Sequence, residues 1–130
     1  MIAKATPAKS KASCKNILVI EDEGEMCLLL NLILVDKGHN VAHVKNLSDA
    51  EHFLQQMQPS LILLDNRLPD GYGFDFICYL KTNYPNIKII MISGVDKAAG
   101  DSALEAGADV FLTKPFTRAA LLQSVNELIN

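Results

Sequence analysis

The sequence contains no apolar run approaching the ~20 residues that cross a bilayer, and Met1 to Lys15 lack the continuous apolar centre of a secretory signal. Both absences point to a soluble, cytoplasmic protein with no membrane partner. Cysteine is sparse: Cys14, Cys27 and Cys78 stand apart without a CxxC pair, which argues against a zinc site or a disulfide framework and leaves reduced thiols. Basic residues are scarce once the chain is under way. Lys4, Lys9, Lys11 and Lys15 precede every acid, and residues 16–130 then hold eight basic against fifteen acidic side chains, a formal charge of −7. That balance excludes direct nucleic-acid binding. No internal sequence repeat is present. Nor does a loop of Gly, Ser or Thr follow the first apolar run, where a nucleotide or flavin phosphate would be cradled; Glu21-Asp22-Glu23 stands there and would repel it.

What is present fits one domain. The chain has 130 residues, 49% of them hydrophobic, enough for one substantial core. Residues 1–14, rich in Lys, Ala and Ser, cannot bury a face and read as a flexible basic tail; residues 15–130 read as the folded domain. From Asn16 onward strand and helix signals alternate. Ile17 to Ile20 is a short apolar run, and Met26, Leu29, Leu30, Ile33 and Leu34 then fall at helical spacing before Gly38. Val41 to Val44 gives a second strand. Ser48-Asp49-Ala50-Glu51 has the pattern of a capping box, predicting a helix from Ser48 towards Gln58 that Pro59 ends.

Leu61-Ile62-Leu63-Leu64-Asp65 reads as a strand buried on both faces, with an acid at its mouth and Pro69 and Asp70-Gly71 turning the chain afterwards. Phe74, Ile77, Cys78 and Leu80 to Tyr84 suggest a third helix, and Ile87 to Ile92 a fourth strand closed by Ser93-Gly94. Ala98 to Ala106 gives a helix, Val110 to Leu112 a fifth strand, and Leu121, Leu122, Val125, Leu128 and Ile129 the last helix. Five βα units in a row imply an α/β, doubly wound parallel sheet with helices on both faces.

On that frame Glu21 and Asp22 end the first strand, Asp65 the third and Ser93 the fourth, with Lys114 just past the fifth. All lie on the C-terminal edge, where open α/β sheets bind ligands. Three carboxylates packed together need a cation beyond Lys114, and a hard, all-oxygen cluster suits Mg²⁺ better than zinc. A metal-flanked carboxylate can attack a phosphoryl group, with Asp65, central in the sheet, as nucleophile and Lys114 offsetting the developing charge. The Ser93 hydroxyl could then bond a phosphoryl oxygen that exists only in the modified state. That would make a switch.

The segments Ile17 to Glu23, Leu63 to Gly71, Met91-Ile92-Ser93-Gly94 and Gly107 to Phe116, in this order and spacing, resemble the receiver domains of two-component response regulators from about Lys15 to Asn130. The resemblance implies a flavodoxin-like fold with strand order 2-1-3-4-5. It also implies that Asp65 takes its phosphate from a phosphohistidine on a sensor histidine kinase or histidine phosphotransfer protein. Asp22, Asp65 and the main-chain carbonyl of Arg67 would hold Mg²⁺, with Glu21 acting through water. Lys114 would contact the phosphoryl group and join Pro115 through a cis bond. Signalling would pass by protein contact through the surface of the fourth helix, fifth strand and fifth helix, with Ser93 and Phe111 as switch residues, and a phosphorylation-linked dimer is compatible with that output. Such a domain is a phosphoacceptor rather than an enzyme, though able to catalyse its own phosphorylation and dephosphorylation. The sequence does not decide between a stand-alone receiver and a domain of a longer regulator.

Several positions depart from the common pattern. Glu21 replaces an aspartate, Ser93 stands where threonine is frequent, and Phe111 lacks a phenol, so inward packing is retained without a hydroxyl bond. Arg67, and Val95 opposite it in similar domains, bear on phosphoryl lifetime. His39, His43 and His52 are dispersed and read as surface or strand residues, and Met26 and Leu30 read as core although related receivers dock kinases on this helix. Two other classes compete. An aspartate-nucleophile phosphatase wants a second acid two residues after the nucleophile, where Arg67 stands, and a flavin- or nucleotide-binding protein wants the phosphate loop that is missing.

Overall fold

The computed structural model describes residues 15–94 and 97–129. The proposed tail 1–14 and Val95 lie outside the described residues. Five strands, β1 (Asn16–Ile20), β2 (Asn40–Val44), β3 (Leu61–Asp65), β4 (Lys88–Ser93) and β5 (Val110–Thr113), form one sheet in the order β2-β1-β3-β4-β5, every pair parallel. Helices α1 (Gly24–Asp36), α2 (Leu47–Gln56), α3 (Gly73–Asn83), α4 (Lys97–Ala106) and α5 (Arg118–Ile129) connect them. This is the flavodoxin-like (βα)5 arrangement and order that the sequence reading expects.

The three central strands read as unbroken apolar runs because both sheet faces are covered. Leu18, Ile20, Ile62, Leu64, Ile89 and Met91 point into a core with α2, α3 and α4. Ile17, Val19, Leu61, Leu63, Ile90 and Ile92, the alternate residues, point into a second core with α1 and α5. Each such side chain, fully buried, contributes about 1.5–3 kcal/mol.

One helix boundary follows its local signal, and another is overridden. At Gly38, φ is +88°, Gly38 N–H donates to the Val35 carbonyl (2.9 Å) and His39 N–H to Leu34 (3.3 Å), the paired bonds by which a glycine in the left-handed region closes a helix. The expected capping box at Ser48 is not the start of α2. Asn46 is the N-cap, its side chain accepting from Asp49 N–H at 2.7 Å, while the Asp70 carboxylate accepts from Leu47 and Ser48 N–H, both at 2.9 Å. Three free N–H groups of the first turn are thereby satisfied, so the helix begins one residue before Ser48. It ends at Gln56.

Two helix faces differ from the sequence reading. Leu29, counted in the α1 core, is 44% exposed, and Leu28, Leu32 and Val35 are exposed beside it. The helix is apolar all round, so its pattern carries no direction. In α3 the buried face is Phe76, Ile77 and Leu80, with Phe74 and Cys78 outside. His39 is buried rather than on the surface, its Nδ1 accepting from Lys15 N–H at 3.3 Å, and burial pushes its pKa down. A two-stranded antiparallel ribbon, Arg67–Leu68 against Gly71–Tyr72, also follows β3 where only a turn was expected.

Candidate functional site

Strand register builds the site. Ile20 pairs with Leu64, which sets Glu21 beside Asp65; Asp65 pairs with Ile92, which puts Ser93 one step further on; Ser93 pairs with Thr113, and Lys114 follows. Because every strand is parallel, all these residues share one edge. Carboxylate oxygens of Glu21, Asp22 and Asp65 lie within 4.8 Å of one another. Lys114 Nζ donates to Asp65 Oδ1 at 3.1 Å and to Glu21 Oε1 at 3.3 Å. Glu21 and Asp65 are buried, whereas Asp22 faces solvent.

One ammonium faces three carboxylates. Burial raises the Glu21 pKa and the Asp65 charge adds to that rise, against the Glu23 N–H, which donates to Glu21 Oε2 at 3.1 Å, and against Lys114. For Lys114, burial alone would lower the pKa, but the hydrogen bond it donates to Asp65 and the charges of Asp65 and Glu21 outweigh it, so the net shift is upward. The ammonium is therefore held charged between two acids. The remaining negative charge and the all-oxygen donor set fit a hard divalent cation such as Mg²⁺.

Ser93 is buried at the end of β4, and its carbonyl accepts from Lys114 N–H at 2.9 Å. The Lys114–Pro115 peptide is cis. Phe111, on β5, is half-buried, and its ring packs against Gly100 of α4, where a side chain would collide with it. A cavity of about 340 Å³ opens beside the ring, with Asn66, Phe74 and Met91 in its wall. Arg67 pairs with Tyr72 in the short ribbon and its side chain is exposed.

Sequence reasoning missed the supports of this edge. Asn66 anchors the start of α3 twice: its carbonyl accepts from Gly73 N–H (2.7 Å) and its Oδ1 from Phe74 N–H (2.9 Å). Gly73 packs so closely that a Cβ would run into the Asp65 carbonyl and lie 2.9 Å from Leu64 Cγ. The Glu21 carbonyl receives Cys27 Sγ–H at 3.2 Å and His43 Nε2 at 3.3 Å. The glycine near an acid was visible in the sequence. Bonds to a main-chain carbonyl leave no such trace.

Comparison with known proteins agrees with this geometry. Residues 17–126 match the family model described as the response regulator receiver domain. The chemotaxis protein CheY of Thermotoga maritima is 28% identical over 116 residues, which cover 88% of this chain and 97% of that protein. The phosphate regulon transcriptional regulatory protein PhoB of Escherichia coli is 31% identical over 121 residues, 88% of this chain and 52% of the relative. The chain thus spans about half the length of the transcriptional regulators it matches. Among solved structures, the beryllofluoride-activated NtrC4 receiver domain dimer superposes with a TM-score of 0.84 at 31% identity, covering 88% of this chain and 95% of that one.

Proposed function

The chain belongs to the response regulator receiver domain family, and from that premise we propose that it is a Mg²⁺-dependent switch that accepts a phosphoryl group on Asp65. The observation that carries this reading is the convergence of three carboxylates within 4.8 Å, one of them bonded to the Lys114 ammonium at 3.1 Å. Glu21, Asp22, Asp65 and the Arg67 main-chain carbonyl would hold the cation, Glu21 through water. When bound, Mg²⁺ supplies positive charge that offsets the charge on the transferred phosphoryl oxygens.

In the transfer, an Asp65 carboxylate oxygen attacks phosphorus, the P–N bond of a phosphohistidine breaks, and its electron pair stays on the imidazole of a sensor histidine kinase or phosphotransfer protein. Lys114 turns from its carboxylate partners towards a phosphoryl oxygen. Catalysis on this edge is positioning and electrostatics, with no proton transfer demanded of the chain. The domain is a signalling module rather than an enzyme with a turned-over substrate, though the same residues promote its own phosphorylation and dephosphorylation.

The Ser93 hydroxyl reports the modified state by bonding a phosphoryl oxygen. Its movement draws on β4, and the cavity beside Phe111 gives that ring room to follow, changing the surface of α4, β5 and α5 that a downstream protein reads. The exposed apolar strip of α1 offers the phosphodonor a hydrophobic seat beside the acids. No helix among the described residues is long and apolar enough to cross a membrane. The acidic surface speaks for protein rather than nucleic-acid partners, and a cytoplasmic location accords with a kinase donor; a phosphorylation-linked dimer would use the same output face.

Incubation with acetyl phosphate and Mg²⁺, followed by intact mass, tests the reading. One hydroxylamine-labile phosphoryl adduct is expected, absent with excess EDTA. An adduct that forms equally well with EDTA would contradict the metal part, and no adduct the whole.

A further inference from the structure

The peptide between Glu21 and Asp22 joins two of the three acids, and its orientation decides where both side chains leave the main chain. Glu21 N–H donates to the Val44 carbonyl at 3.1 Å, the last rung between the two strands, after which Lys45 and Asn46 depart towards α2. The Glu21 carbonyl is then taken by two side chains from different elements. Cys27 Sγ, on the second turn of α1, lies 3.2 Å away, and His43 Nε2, on β2, lies 3.3 Å away. A carbonyl can only accept, so the imidazole carries its proton on Nε2. The thiol is buried and donates to the same carbonyl.

We propose that Cys27 and His43 form a clamp on the Glu21 carbonyl that fixes the Glu21–Asp22 peptide, making both of them positioning residues for the cation site. This inference rests on the reading of Glu21, Asp22 and Asp65 as that site. The need for a clamp is physical: neighbouring carboxylates repel, and Glu21, one methylene longer than aspartate, adds a rotatable bond that a looser main chain would let swing away. Held from α1 on one side and β2 on the other, the peptide keeps the acids close before any cation arrives, so less ordering remains to be done on binding. Outer partners of this kind alter metal affinity without touching the metal.

His43 is exposed, so its replacement leaves the core intact. The test is calorimetric titration of Mg²⁺ into the whole chain, in wild type, His43→Phe and His43→Gln, with unfolding midpoints alongside. Phenylalanine keeps a ring but no donor; glutamine restores an N–H. Expected is an Mg²⁺ affinity about tenfold weaker in His43→Phe, recovery to within about twofold in His43→Gln, and unchanged midpoints. Cys27→Ala against Cys27→Ser repeats the comparison from the other side, the serine hydroxyl standing in as donor. The clamp is overturned if His43→Phe binds Mg²⁺ as tightly as wild type, or if His43→Gln is as weak as His43→Phe. If wild type binds no Mg²⁺, the cation site itself is wrong and the clamp falls with it, a result distinct from equal binding across the series.

Discussion

Lys114 Nζ reaches Asp65 Oδ1 at 3.1 Å across the whole width of β4, which lies between β3, ending at Asp65, and β5, after which Lys114 follows. The ammonium thus does, without metal, part of what a cation would do. Its side chain is partly exposed while its two partners are buried, so removing it leaves two buried acids without their cation. Lys114→Met should cost about 2 kcal/mol of metal-free stability, below the figure for a fully buried pair because of that exposure. Saturating Mg²⁺ should then raise the unfolding midpoint of Lys114→Met more than that of wild type. Equal increments would show that the lysine and the cation do not share the same charge.

Gly73 tests the closeness of α3 to Asp65. A methyl group there meets the Asp65 carbonyl and Leu64, so Gly73→Ala must push the main chain of β3 or the start of α3 outward. The expected cost is about 1–3 kcal/mol, with acetyl phosphate labelling slowed. A variant as stable and as readily labelled as wild type would show that the contact relaxes freely.

The orientation of α1 can be checked by a pair of substitutions. Leu30 is 1% exposed and Leu32 is 60% exposed. Leu30→Ala should lose about 2–5 kcal/mol in urea unfolding, whereas Leu32→Glu should stay within about 0.5 kcal/mol and keep small-donor labelling intact. Comparable losses at both positions would mean the helix presents a different face.

Asp70 links the loop after β3 to the start of α2, and its pKa is lowered chiefly by the Leu47 N–H, with Ser48 helping. A carboxylate whose folded pKa lies below its unfolded value adds stability above the unfolded value, near 3.8, and loses it as pH falls through the folded one. Asp70→Asn, which keeps one acceptor oxygen for the two N–H groups, should therefore cost about 1 kcal/mol near neutrality, the usual net worth of one hydrogen bond, and the gap from wild type should close on acidification below 3.8. A gap that persists unchanged at lower pH would assign the loss to something other than the carboxylate.

The central strands and the acid edge were legible in the sequence for one physical reason. A parallel sheet covered on both faces makes its strands uniformly apolar, and parallel register turns every strand end into one site, so Glu21, Asp22, Asp65, Ser93 and Lys114 could be placed together without coordinates. Where signals were local but undirected, the reading went astray. The leucines of α1 surround the helix, so nothing in their spacing separates Leu30 from Leu29. The start of α2 depends on Asp70, more than twenty residues away, which a capping pattern at Ser48 cannot anticipate. His43 and Cys27 act on a carbonyl that every residue possesses. The ribbon of Arg67–Leu68 with Gly71–Tyr72 is too short to show a period of two.

The claim on which the rest depends is that Asp65 is the phosphoacceptor. Wild type and Asp65→Asn, each incubated with acetyl phosphate and Mg²⁺ and weighed intact, should differ by one phosphoryl group, present in wild type and absent from the variant; an undiminished adduct on Asp65→Asn would contradict the account.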